Sequence, residues 1–258
     1  MAQIAPQRLW LALAMTGASF AVLGVYDVLA ARGVAPGVPR WLAWLAGAVG
    51  NAVSNTLGFH AVIGSLVRHR FYRRLGLGWA DTVRIMSLSW AVRGLGVAAL
   101  LTLALLVQGA WIAALALSAL LGLLLFWLGR GGRQIKFAQL AMPGAPMAAA
   151  QMVLGAVEMA AAIGALYVLM PSPPSFAVFA AAYIGAILLG IISHAPGGIG
   201  VFEAAMLSLT GGQDRAGVLA ALLLYRVIYN LLPFMAALLA LGGFEAAARI
   251  SSKADNAG

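Results

Sequence analysis

The feature that most constrains this chain is a series of long apolar runs, almost free of charge, that begin near residue 9 and recur to residue 241. At a helical rise of 1.5 Å per residue, roughly 20 apolar residues cross the ~30 Å hydrocarbon layer of a bilayer. That ruler marks candidate spans at 9–31, 41–66, 85–107, 111–128, 147–170, 175–193 and 216–241. The runs are continuous rather than alternating, which excludes a transmembrane barrel. A spanning chain that is not a barrel must satisfy its own backbone as helix. The expected fold is therefore all-α, a polytopic integral membrane protein of about seven transmembrane helices with one or two broken or re-entrant segments.

Composition closes the water-soluble alternative. Hydrophobic residues fill 63% of the 258 positions and charged residues 9%, against about 45–50% and 25% in soluble domains. The mean hydropathy of +0.97 leaves no polar shell. A net charge of +9 could serve nucleic acid, yet the bases lie in short loops between apolar runs, so no nucleic-acid partner is expected. The chain has no Cys and three scattered His, which argues against disulfide, thiolate or metal chemistry; no metal and no cofactor are expected. The apolar run after Arg8 is too long for a signal-peptide core and reads as a retained helix. Residues 1–242 read as a single transmembrane domain and 243–258 as a short polar C-terminal tail.

Sidedness follows from Lys and Arg in short loops, with the spans crossing alternately. Arg8, then Arg68, Arg70, Arg73, Arg74 and Arg84, then Arg130, Arg133 and Lys136 fall on one side, and Arg32 and Arg40 on the other. This places the first group, and the N-terminus, in the cytoplasm. The side of Arg249 and Lys253 depends on whether 175–210 crosses once or doubles back.

Two apolar stretches are interrupted by small and polar residues, Asn51–Gly58 and Ser193–Gly200, and the piece 201–210 is too short to span alone. Breaks at membrane depth are tolerated only where protein or a wet cavity satisfies the freed backbone. In transporters, paired breaks in two halves point to the substrate site. The plainer alternative for each is an interfacial turn.

Five ionisable residues fall inside or near the spans: Asp27, Arg93, Glu158, Glu203 and Arg226. A charge at the bilayer centre costs about 2.5–3.5 kcal/mol even on the mild insertion scale, so it faces a partner, the bundle interior or a cavity. Glu158 and Arg226 stand about mid-span, and Arg93 lies some ~14 Å beyond Arg84, too far for easy snorkelling. The structural alternative is a buried ion pair, Glu158 with Arg93 or Arg226, that fixes register and nothing more. Glu203 stands in the first turn of the helix after Gly200, where a carboxylate is favoured. Asp27, near the end of its span, is expected to reach the interface. His60 and His194 lack a second ligand at metal spacing and read as hydrogen-bonded or titrating.

Leu222, Arg226, Tyr229 and Pro233 recur at helical spacing and put a guanidinium, a phenol and a kink on one stripe, which suits an anionic headgroup. Tyr225 and Tyr229 flank a mid-span Arg rather than a membrane boundary. The Arg68–Arg74 cluster is read as a positive-inside signal that also attracts acidic lipid.

With these residues in view, the chain resembles the transmembrane, flippase-type domain of lysylphosphatidylglycerol synthases (the multiple peptide resistance factor) and its stand-alone inner-membrane relatives. The resemblance is carried by Gly24–Ala30; by Ser54–Gly58 leading to Gly64, Arg68, Arg70, Tyr72 and Gly76–Leu77; by Pro196–Glu203; and by Leu224–Tyr229 with Pro233. The chain begins a helix or two later than that family usually does, carries Ser65 where a second Gly is usual, and has no soluble acyltransferase-like domain. The resemblance implies no synthase activity and a lipid-handling role for 1–242.

The function expected on these grounds is a phospholipid translocase of the bacterial inner membrane, acting on an anionic or an aminoacylated lipid, for instance aminoacylated phosphatidylglycerol, and not an enzyme. Arg226 and Arg93 would hold the phosphate, and Glu158 and Glu203 would meet an aminoacyl ammonium or stabilise the empty site. Ser54, Asn55, Tyr229 and the break at Pro196, Gly197 and Gly198 would line the path. The rival reading is a non-transporting scaffold that presents lipid to a separate glycosyl- or aminoacyltransferase. With no ATP-binding motif, active transport would have to be ion-coupled.

Overall fold

In the computed structural model of the chain, the described residues are 5–129, 134–135, 140–141, 145–193, 198–209 and 214–255. They form helices α1 (Pro6–Val34), α2 (Arg40–Leu57), α3 (His60–Tyr72), α4 (Trp79–Val107), α5 (Trp111–Gly129), α6 (Ala145–Tyr167), α7 (Phe176–Ile192), α8 (Val201–Leu209), α9 (Arg215–Tyr225) and α10 (Leu232–Asp255). The last two are joined by a widened turn, Arg226–Leu231. The only other pairing among the described residues is a two-residue antiparallel ladder, Gln134–Ile135 against Leu140–Ala141.

Among the described residues, four stretches are long and apolar enough to cross a bilayer: Pro6–Val34, Trp79–Val107, Pro146–Tyr167 and Arg215–Ala247. Two shorter apolar helices, Trp111–Trp127 and Phe176–Ile192, stand beside them. Large apolar side chains such as Trp10, Ile112 and Leu239 point outward, as expected where the surroundings are lipid rather than water. The protein is an all-helical, multi-pass membrane protein.

The expected span 41–66 is not one helix. Gly58 takes φ 80° and Phe59 φ 47°, left-handed backbone that an α-helix cannot continue through. After that turn α3 runs back along α2. A Cβ on Gly50 would come within 2.7 Å of Arg68 Nη1, and one on Gly64 within 3.7 Å of Ser54 Oγ. Residues 40–72 are thus a re-entrant hairpin that starts and finishes at the end of the bundle where α1 terminates.

A second hairpin enters from the other end. Gln108, at the close of α4, donates to the Ala177 carbonyl (3.2 Å), and Arg8 donates to the Met170 carbonyl (3.4 Å), which places the start of α7 at the Arg8 end. A Cβ on Gly190 would lie 3.6 Å from Gly198 Cα, and the Tyr183 and Phe202 rings are 5.4 Å apart, so α8 doubles back along α7. The question left open for 175–210 is answered by this reversal. With α1 and α6 before the hairpins and α4 and α9–α10 after them, the two halves have the same parts in opposite orientation.

Two apolar contacts help hold the halves together. Gly96 of α4 and Gly155 of α6 approach so closely that a Cβ on Gly96 would fall 2.2 Å from Gly155 Cα. In lipid, helices associate by such close packing of small residues rather than by the hydrophobic effect. The second is an apolar cluster that joins Ala12, Leu100, Ile163, Leu166, Phe179, Ile184 and Leu222. The stretch set apart as a polar tail continues α10 as helix to Asp255.

Candidate functional site

The widened turn is where the two hairpin tips meet. Pro233 has no N–H and its ring crowds the carbonyl four residues earlier, so an ordinary α-turn cannot run through it undisturbed. The chain instead takes a wider turn, closed by the Leu232 N–H on the Val227 carbonyl. Such turns recur at functional sites. Here the turn replaces the regular stripe expected through Leu222, Arg226, Tyr229 and Pro233, and it gives each of its polar side chains a different partner.

Asn230 holds the first hairpin. Its Nδ2 donates to the Asn55 carbonyl (3.2 Å), and Thr56 Oγ1 donates back to the Asn230 carbonyl (3.2 Å). Asn55 Oδ1 is hydrogen-bonded to His60 Nε2 (3.1 Å), while Ser54 is buried and donates to the Asn51 carbonyl. Arg226 holds the second hairpin through a short ion pair with Glu203 Oε1. The other oxygen of Glu203 accepts the Gly200 N–H (2.7 Å), so this carboxylate caps α8 and pairs with the guanidinium at once. Gly198, at φ 64°, lies in the turn before α8; Pro196, Gly197 and His194 lie outside the described residues.

Tyr229 points into the bundle. Its hydroxyl is 2.8 Å from Ser19 Oγ, and Ser19 donates to Glu158 Oε1 (2.8 Å). Glu158 Oε2 in turn lies 3.4 Å from Arg93 Nε, with the Glu158 side chain fully buried and that of Arg93 22% exposed. Tyr225 stacks on Tyr229 (5.0 Å, 15°), and its hydroxyl is 2.6 Å from that of Tyr183. Glu158 pairs with Arg93 and not with Arg226, so the site holds two separate Arg–carboxylate pairs about halfway along the spanning helices.

Two sequence expectations are corrected. Asp27 does not reach the interface: it is fully buried and bound by Arg68 at 2.9 Å through Nη2 and at 3.0 Å through Nε, with Ser89 Oγ donating at 2.8 Å. Arg68 is not a loop charge. The hairpin folds it inward, where a Cβ on Gly47 would overlap Asp27 Oδ2 and one on Gly50 would crowd the guanidinium. The other bases of that cluster do sit at the bundle end, where Arg74 pairs with Glu245 at 2.8 Å and lies over the Phe244 ring.

Sequence reasoning missed Ser19, Asn230 and Tyr183. A polar side chain inside an apolar run, near Thr16 for Ser19 and beside Tyr229 for Asn230, was the available signal for the first two; nothing in the sequence singles out Tyr183 from an ordinary core aromatic.

No family model matches the chain. It is 33% identical over 262 residues to the uncharacterised protein slr0712 of Synechocystis, covering 94% of this chain and 81% of that protein. It is 27% identical over 246 residues to the inner membrane protein YbhN of Escherichia coli, covering 88% of this chain and 77% of that protein.

Proposed function

The chain belongs to the membrane-protein family that includes slr0712 and YbhN, and from that premise we propose that it is a phospholipid translocase of a bacterial inner membrane. It moves an anionic or aminoacylated lipid between leaflets without changing it chemically. The observation that carries this reading is the meeting of two re-entrant hairpins, from opposite ends, at one widened turn lined by two Arg–carboxylate pairs. Broken helices that meet at mid-depth between inverted halves are the arrangement in which transporters place their substrate sites.

The chemistry fits a headgroup. Arg226 and Arg93 each offer a guanidinium to a phosphate, and each already has a carboxylate that neutralises it when the site is empty. Asn55, Thr56, His60, Asn230, Glu203 and Arg226 are half-buried rather than sealed, so polar groups meet a wettable path at a depth where lipid alone would not accept them. The resemblance to the flippase-type domain of lysylphosphatidylglycerol synthases supports the lipid class.

The first hairpin also revises the sidedness. Because 60–72 returns to the end from which Arg40 departs, Arg32, Arg40, Arg70, Arg73 and Arg74 share one end, while Arg8 lies at the other. By the positive-inside rule the Arg40 end is cytoplasmic, and the start of α1 is on the opposite face.

The test is leaflet exchange of headgroup-labelled phosphatidylglycerol and lysyl-phosphatidylglycerol in proteoliposomes. Exchange above empty vesicles that Arg226→Gln abolishes is the expected result. Well-folded protein that exchanges neither lipid would sink the proposal in favour of a scaffold.

A further inference from the structure

The Arg93–Glu158 pair differs from the other two in how poorly the carboxylate is satisfied. Asp27 receives three hydrogen bonds from two residues, and Glu203 is held by a guanidinium and a backbone N–H. Glu158 accepts one hydrogen bond, from Ser19. Its second oxygen has only the 3.4 Å approach of Arg93 Nε and no hydrogen-bond partner among the described residues. The buried Tyr26 hydroxyl likewise lacks a partner among those residues. Glu158 is sealed, while 22% of the Arg93 side chain is exposed. The cation can therefore turn outward; the carboxylate cannot follow it.

That asymmetry forces a choice when an anion binds. Empty, the pair is neutral. If Arg93 turns to a phosphate, Glu158 remains as a bare carboxylate in a medium that penalises an unpaired charge heavily, and a carboxyl in that position neutralises itself by taking a proton. The other groups that face Glu158 are Tyr26 of α1, Tyr183 of α7, Tyr225 of α9 and Tyr229 of the widened turn; α5 carries no titratable residue. None of these phenols can replace the lost cation.

Resting on the translocase reading, we propose that Glu158 is the proton-binding residue of this protein, taking up one proton as Arg93 leaves it for an anionic headgroup and releasing it when Arg93 returns. Charge balances at each stage. Arg93 plus ionised Glu158 is neutral, and Arg93 plus phosphate monoanion plus protonated Glu158 is neutral again. The proton comes from water at the wetted side. Ser19 and Tyr229 supply its path: Tyr229 OH, Ser19 Oγ and Glu158 Oε1 are linked by two 2.8 Å contacts. Lipid and proton then bind together, which makes the protein a route for proton-coupled rather than purely passive lipid movement.

The experiment titrates the full chain, in weakly buffered zwitterionic detergent with a pH-sensitive dye, with short-chain dihexanoyl-phosphatidylglycerol. Binding is followed separately by calorimetry. The expected result is uptake of one proton for each lipid bound to the wild type, and none for each lipid bound to Glu158→Gln, whatever its affinity. Where Glu158→Gln fails to fold, the pH dependence of lipid binding to the wild type is the second measurement: coupled uptake of one proton must tighten binding as pH falls, by up to about tenfold per pH unit, and pH-independent binding overturns the proposal. Lipid binding to the wild type without proton uptake overturns this proposal and leaves the translocase reading standing. Absence of lipid binding overturns both. Dimethyl phosphate, a headgroup-sized monoanion that does not titrate near neutral pH, is the control for the lipid: uptake with either ligand sustains the coupling at Glu158, and uptake with dimethyl phosphate alone removes the lipid reading beneath it.

Discussion

Asp27–Arg68 and Glu203–Arg226 are the same chemical pair placed in two different surroundings. The first is sealed between α1, α2, α3 and α4, with both side chains essentially unexposed and a serine completing the carboxylate's hydrogen bonds. The second joins the tip of a hairpin to the widened turn, with 22% of the Arg226 side chain and 12% of the Glu203 side chain exposed. A sealed pair can only fix where its helices sit. An open pair can exchange its partner for a ligand, so the degree of burial, and not the residue types, separates scaffold from site.

The comparison breaks most visibly at Arg68. Arg68→Met strands a carboxylate among helices and is expected to cost about 3–5 kcal/mol, seen as a large fall in the unfolding midpoint of the detergent-solubilised protein. Asp27→Leu combined with Arg68→Met should recover most of that loss; failure to recover would mean that the pair does more than hold the hairpin.

Gly58→Val comes next. Gly58 sits at φ 80° and ψ −162°, a region open essentially to Gly alone, and forcing a branched side chain there costs about 1–3 kcal/mol. Loss of the hairpin reversal can be read from cysteine accessibility at position 70, which should move away from the face that labels position 40.

Arg226→Gln removes the open pair. Stability should fall by less than in Arg68→Met, because Glu203 keeps the Gly200 N–H and part of its surface, while lipid exchange in proteoliposomes drops to background. A large stability loss instead would class Arg226 with Arg68. Arg74→Ala, at the bundle end, is expected to change stability by at most ~1 kcal/mol and to leave exchange intact, since exposed pairs contribute little.

How far the sequence reaches differs between these features. An interruption of both runs is legible because Gly, Asn and Ser stand in otherwise uniform apolar sequence, although α2 stays helical through Asn51–Leu57 and breaks only at Gly58; the mid-span charges are legible because each is costly in lipid. The reversal at Gly58–Phe59 is not. A 26-residue apolar stretch, 41–66, has the hydropathy of a span whether the chain continues or turns back. That single ambiguity misplaced Arg68 in a loop and put Arg40 and Arg70 on opposite sides. The partners were also hidden: Glu158 could pair with either arginine, and only the crossing of α4 and α6 at Gly96 and Gly155 brings Arg93 to it.

The sequence alone determined the class of the molecule, because a chain with 63% hydrophobic and 9% charged residues cannot surround itself with water. It also determined which residues must be excused for lying in lipid, since the cost of a charge depends on its depth along the chain. Tertiary structure decided which of those charges are locked and which are open. Hairpin direction and helix crossing bring together residues as far apart as Ser19, Glu158 and Tyr229, and no periodicity within one helix encodes distances between helices.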